Sequence, residues 1–178
     1  VLPAEAEIRG LVGLPSQEYF ARLLPAHLRG DAEELHELVT DSEVEWLAGG
    51  RGRLMPRAFE TLAEVRQQGW RVALVSNCRR RYFEANLCHL GLGREVEVAL
   101  CLDDAPSKAA NVVAALKALG AGRGVMVGDR AADIEAGRAA GLRTVACRYG
   151  FGEPAELAGA DHAIDGLGEL PPLLARLG

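Results

Sequence analysis

The sequence predicts an α/β fold: a parallel sheet with helices on both faces, carrying a small helical appendage at its N-terminal end. Three observations lead there. Beyond residue 52, short apolar runs at 71–76, 95–100, 124–128 and 144–148 alternate with helix-patterned segments, the pattern of parallel strands joined by crossover helices. Glycines 69, 91, 120 and 141 stand where those helical patterns stop. The first fifty residues show no such alternation and read as helices alone.

Taken in order, Ser16 is placed to cap a helix carrying Tyr19, Phe20, Leu23 and Leu24, which Pro25 ends. Asp31 and Glu34 have capping-box spacing ahead of Leu35, Leu38 and Val39. Gly49-Gly50-Arg51-Gly52 reads as a hinge, so the expected division is 1–52 and 53–178. Pro56 then opens a helix with Phe59, Leu62 and Val65 on one face. RVALVS (71–76) suits a buried strand, and a helix follows from about Arg80 to Leu90. EVEVAL (95–100) alternates like a strand, and SKAANVVAALKALG (107–120) is a strong helix. GVMVG (124–128) is the next strand and leads into a helix ending at Gly141. TVACR (144–148), a short helix near Pro154, DHAID (161–165) and a terminal helix complete the chain.

Composition narrows the function. A chain of 178 residues with 49% hydrophobic residues can bury a core of its own. A net charge of −5 gives no global field to attract nucleic acid or an anionic membrane, and no apolar run approaches the roughly 20 residues of a membrane span. Cys78, Cys88, Cys101 and Cys147 form no Cys-x-x-Cys pair and are expected as free thiols, which places the protein in the cytoplasm. The sequence carries no signal of oligomeric state.

The chemistry gathers at strand ends, where open α/β sheets bind their ligands. Asp129 and Asp133 form GDxxxD just after an apolar run; two carboxylates there suit Mg²⁺, and the pair alone reads equally as one Asp capping a helix beside a solvated partner. Ser76-Asn77 can offer a hydroxyl and backbone N–H groups to a phosphate, or simply cap the next helix. Lys108, early in its helix, can neutralise phosphate charge; taken alone, a solvent-facing lysine is the plainer reading. Arg79, Arg80 and Arg81 read as a solvated helix face or an attractor for an anionic substrate. Asp103-Asp104 reads as a turn or an aid to the metal. Arg51 and Arg53 flank the hinge within reach of a substrate.

VALVSN (72–77), then Ser107-Lys108, then VMVGDRAADIEAGRAAGLRTVACRYGFG (125–152) resemble motifs two, three and four of the haloacid dehalogenase (HAD) superfamily, closest to its phosphoglycolate-phosphatase-like branch. EIRGLVGLPSQEYFARLL resembles the start of that branch's helical cap, and AELAGADHAIDGLGELPPLL its usual ending. The resemblance implies a Rossmann-like core over 53–178 and a partial cap over 1–52. It implies a Mg²⁺-dependent phosphatase for a small phosphorylated metabolite, phosphoglycolate first. By this likeness Ser76, Asn77 and Lys108 hold the phosphate, with Lys108 also orienting the nucleophile. Asp129 binds Mg²⁺ directly, and Asp133 does so directly or through water.

The family's nucleophilic Asp, and the acid/base Asp two residues on, belong to a DxD motif at the end of a first strand that precedes the cap. No residue here matches it: the first Asp is Asp31, with no apolar strand before it. The resemblance places the missing strand mid-sheet, between those at 71–76 and 124–128. A vacant slot there doubles the ordinary spacing of about 4.8 Å and leaves backbone groups unpaired. The favoured expectation is roughly 20–30 further N-terminal residues in the native protein, against an unusual repair of the sheet. The 178-residue chain is expected to be inactive. A phosphate-binding relic without turnover, and a haloacid dehalogenase needing no Mg²⁺, are the alternatives.

Overall fold

The structure, a computed structural model, describes residues 3–178. Three helices come first: α1 (Glu5–Leu11), α2 (Ser16–Leu23) and α3 (Ala32–Ala48). Their starts differ from the expected caps. Pro15 occupies the N-cap position of α2, which leaves Ser16 as its first helical residue, with a buried hydroxyl that has no partner. Asp31 precedes α3 but makes no side-chain cap bond. The chain reaches it through a 3₁₀ turn, Ala26–Asp31, so Asp31 (φ −97°, ψ 10°) lacks the extended backbone that lets a capping carboxylate reach forward.

After the glycine-rich segment that follows Ala48, helix α4 (Ala58–Gln67) starts two residues later than Pro56 suggests, with Arg57 in the left-handed region. It buries Thr61 and Val65, while Phe59 remains 44% exposed. Strand β1 (Ala73–Val75), α5 (Arg80–His89), β2 (Val98–Leu100), α6 (Lys108–Ala118), β3 (Val125–Gly128) and α7 (Ala131–Ala139) then alternate. Strand β4 (Arg143–Cys147), α8 (Pro154–Leu157), β5 (His162–Ile164) and α9 (Leu170–Leu177) close the chain.

All strand pairs are parallel, but they form two sheets, β1–β2 and β3–β4–β5. Ala73 faces Val98 in the first, and Val125 faces Arg143 in the second. The difference between the sheets shows in their burial. β4 has a hydrogen-bonded neighbour on each side and is buried from Thr144 to Cys147. β1 and β3 carry equally apolar sequences yet are only half-buried along their whole length.

The reason is a cavity of about 780 Å³ into which both strands open. Val75 and Val127 line it from the strands, Val65 and Leu174 from α4 and α9, and Val112 and Leu116 from α6. In a parallel ladder, successive residues send their N–H and C=O groups to opposite neighbours. The Ser76 N–H bonds Leu100 O at 3.0 Å, so alternation turns the peptide groups of Val75 away from β2, toward the cavity. It therefore has strand edges on two sides and helices above and below.

Val65, Val145, Cys147, Ile164 and Leu173 form the core on the α4–α9 face; Ile134, Ala146 and Leu157 form a smaller one on the α7 face. The four cysteines are free thiols. Among the described residues, no helix is long and apolar enough to cross a membrane.

Candidate active site

At the carboxyl end of β3 the chain turns sharply into α7, and the turn is organised by Asp133. Its Oδ2 accepts hydrogen bonds from the Asp129 and Arg130 N–H groups, both at 3.0 Å. Its Oδ1 accepts from Lys108 Nζ at 2.6 Å. Both side chains are withdrawn from solvent, Lys108 to 12% and Asp133 to 8% exposure. Such a pair persists in a low-dielectric setting only because the remaining carboxylate oxygen is also hydrogen-bonded. Gly128 makes room for it, since a Cβ at that position would overlap the Asp133 side chain.

Asp129 is held from the opposite side. Its Oδ2 accepts from the Phe151 N–H at 2.7 Å, in the loop after β4. Gly150 allows that loop to approach, because a Cβ there would collide with the Asp129 side chain. Among the described residues, Asp129 Oδ1 accepts no protein hydrogen bond, so a hard oxygen donor is left uncommitted. Asp133 has three protein donors on its two oxygens. The donor chemistry therefore fits a divalent cation at Asp129, with Asp133 fixing the geometry around it.

The loop after β1 completes the group. Asn77 is buried, and its Nδ2 donates to Gly13 O at 3.0 Å, in the turn between α1 and α2. Ser76 Oγ is engaged within its own turn, accepting from the Cys78 N–H at 3.2 Å and donating to Cys78 Sγ at 3.0 Å. Burial pushes the Cys78 thiol above its ordinary range, with the Ser76 hydrogen bond and the Lys108 charge acting against that rise. Lys108, Asp129 and Asp133 thus meet directly, and Asn77 joins them through Gly13, which packs on Arg130.

Other charged groups are structural. Arg79 pairs with Glu33 and Arg81 with Glu37 and Asp41, linking α5 to α3, while Arg80 pairs with Asp104; Arg80 and Arg81 stay about half exposed, so the cluster keeps a solvated face. Asp103 accepts from the Arg80 N–H at 2.7 Å and Asp104 from the Cys101 N–H at 2.8 Å; both serve the turn and not the metal. The Arg51 guanidinium stacks over Trp46, 5.5 Å from the ring centroid, and does not reach the site. Glu33, His36 and Glu37 share one face of α3 with metal-like spacing, but Glu33 and Glu37 carry the ion pairs to Arg79 and Arg81.

Sequence reasoning passed over Arg130. Its Nε donates to Glu156 Oε1 at 2.7 Å, and its remaining nitrogens donate to Gly10 O at 3.0 Å and to Val12 O. Burial raises the Glu156 pKa, but the Ala131 N–H and the Arg130 guanidinium outweigh it and hold the carboxyl below its ordinary range. No local pattern announces a contact that spans 120 positions.

The chain is similar to known proteins. A family model described as "haloacid dehalogenase-like hydrolase" matches residues 1–141, and the chain belongs to that family. It is 28% identical over 188 aligned positions to a phosphoglycolate phosphatase of Nitrosococcus oceani, covering 98% of this chain and 83% of that one. It is 37% identical to a plasmid-borne phosphoglycolate phosphatase of Cupriavidus necator, over 72% of this chain but only 60% of the relative's length. A haloacid dehalogenase-like hydrolase of Streptococcus pneumoniae superposes with a TM-score of 0.82 at 20% identity, covering 99% of this chain and 82% of that chain.

Proposed function

We propose that these residues form the phosphate-gripping and Mg²⁺-binding part of a phosphatase for small phosphorylated metabolites, phosphoglycolate being the first to test. The observation that carries this reading is the Lys108–Asp133–Asp129 constellation at the carboxyl end of β3, beside the cavity between β1 and β3. One further parallel strand in that cavity, ending in Asp-x-Asp, would deliver a nucleophile to the same pole.

Each residue then has a defined task. The Asn77 N–H serves phosphate oxygens, and the Ser76 hydroxyl does so by giving up its bond to the Cys78 sulfur. Lys108, held by Asp133, places a fixed positive charge where negative charge grows, with no reorganisation during the reaction. Asp129 would hold Mg²⁺ through its free oxygen, with Asp133 orienting the turn behind it. Bound Mg²⁺ supplies Lewis-acid neutralisation of the phosphoryl oxygens. The first Asp of the added strand attacks phosphorus, and the second protonates the leaving group and then activates water.

The 178-residue chain is expected to release no phosphate from a monoester panel with Mg²⁺. A protein carrying the additional N-terminal strand is expected to do so. Failure of that longer protein on every monoester overturns the reading, and Mg²⁺-dependent turnover by the 178-residue chain of verified mass overturns the assignment of the nucleophile. In the longer protein, Lys108→Ala is expected to lower kcat by about 10²- to 10³-fold; it also leaves the buried Asp133 carboxylate without its cation and lowers the melting temperature, so kinetics are read on folded protein well below the melt, and wild-type kinetics would remove Lys108 from the site.

A further inference from the structure

The last turn of α1 and the turn that follows it, residues 9–13, are held by each of the three loops that build the site. From the loop after β1, Asn77 Nδ2 donates to Gly13 O at 3.0 Å. From the loop after β3, Arg130 donates to Gly10 O at 3.0 Å and to Val12 O. From the loop after β4, the Phe151 ring lies under the Arg9 guanidinium, 5.4 Å from its centroid. Phe151 is also the residue whose N–H holds Asp129. The turn is shaped for this grip. Gly13 has φ +92°, and a Cβ there would come within 2.9 Å of Arg130 Cγ.

Arg130 dominates the grip. It is the one residue of the set that joins the turn by two charge-assisted hydrogen bonds, and it follows Asp129 directly. Its guanidinium is 13% exposed and is aimed by Glu156, whose Oε1 also accepts from the Ala131 N–H at 2.8 Å. The fork geometry of arginine lets Nε face Glu156 while the two terminal nitrogens face the carbonyls, which a lysine cannot do.

We propose that Arg130, positioned by Glu156, is a latch that closes the 9–13 turn over the site and thereby couples the helical N-terminal region to the loop bearing Asp129. Arg130 is a positioning residue: it touches the turn and Glu156, and it acts on substrate through the closure it holds. The catalytic consequence rests on the phosphatase reading; the latch itself does not.

Hydrogen exchange on the 178-residue protein tests the latch without substrate. In Arg130→Gln, amides of residues 10–16 are expected to exchange roughly ten- to a hundredfold faster, while those of β4 keep their wild-type rates. Glu156→Gln retains an acceptor for Ala131 but weakens the aim of Arg130, and is expected to accelerate the same amides by a smaller factor. Unchanged exchange at 10–16 in folded Arg130→Gln overturns the latch; should that variant fail to fold, unchanged exchange in Glu156→Gln does so. In the longer protein, Arg130→Gln is expected to raise KM for a phosphate monoester more than it lowers kcat. A kcat loss with KM unchanged overturns the coupling to substrate closure. A longer protein with no turnover but accelerated exchange refutes the phosphatase reading and leaves the latch standing.

Discussion

Replacing Asp133 with alanine is expected to cost about 3–5 kcal/mol of folding stability, the range for breaking a buried ion pair from one side. For a chain of this size that corresponds to a fall of roughly 6–20 °C in melting temperature. The cost has two sources. Lys108, 12% exposed, is left as an uncompensated ammonium, and the Asp129 and Arg130 N–H groups lose their acceptor. Asp133→Asn is expected to fall between wild type and alanine, because an amide oxygen still serves the two N–H groups while its NH₂ faces the ammonium. The double variant Lys108→Met, Asp133→Leu is expected to be more stable than Asp133→Ala alone, since it removes both charges together. Thermal melts of these variants complete the test. An unchanged melting temperature in Asp133→Ala would show that the pair contributes nothing to stability.

How far this site was legible depended on the range of the contacts. Ser76, Asn77, Lys108, Asp129 and Asp133 each follow an apolar run or open a helix, and parallel α/β architecture sends such positions to one pole. Their order along the chain therefore indicated a shared location. Arg130 was illegible for the opposite reason: its partners lie at Gly10, Val12 and Glu156, and nothing in a local window distinguishes it from a surface arginine beside a helix. At Arg79–Arg81 the solvated face was legible, since Arg80 and Arg81 stay exposed, but the partners Glu33, Glu37 and Asp41 that α3 brings to Arg79 and Arg81 were not.

The fold followed a similar division. The strands β1, β3 and β4 fall inside or nearly inside the apolar runs that announced them, because buried parallel strands are apolar on both faces. Helix starts were less legible. Asp31 and Ser16 carry capping side chains, yet Pro15 and the 3₁₀ turn ahead of α3 set a backbone in which neither side chain caps. Entry geometry, decided by the preceding residues and by packing, overrode residue preference at both positions. The half-burial of β1 and β3 is a different case, since their sequences are those of central strands and their surroundings are those of edges.

That mismatch makes the largest functional prediction. A peptide of about five apolar β-branched residues ending in Asp-x-Asp, added to the 178-residue protein, is expected to enter the cavity between β1 and β3 as a parallel strand. It satisfies the peptide groups that face the cavity and covers the exposed faces of Val75 and Val127. At a concentration of about 100 Kd, mass action gives roughly 2.7 kcal/mol of stabilisation, or a rise of about 5–10 °C in melting temperature. Trp70 lines the cavity, so its fluorescence is expected to move to shorter wavelength on binding. A peptide with proline at the central position lacks the N–H needed for the ladder and is expected to do neither. With Mg²⁺ and a phosphate monoester, the Asp-x-Asp peptide is expected to start phosphate release, while a peptide with Asn in place of its first Asp binds equally and stays silent. Equal stabilisation by the proline peptide would show that the cavity takes apolar matter without regard to strand pairing. Binding of the Asp-x-Asp peptide without turnover would separate completion of the sheet from completion of the chemistry.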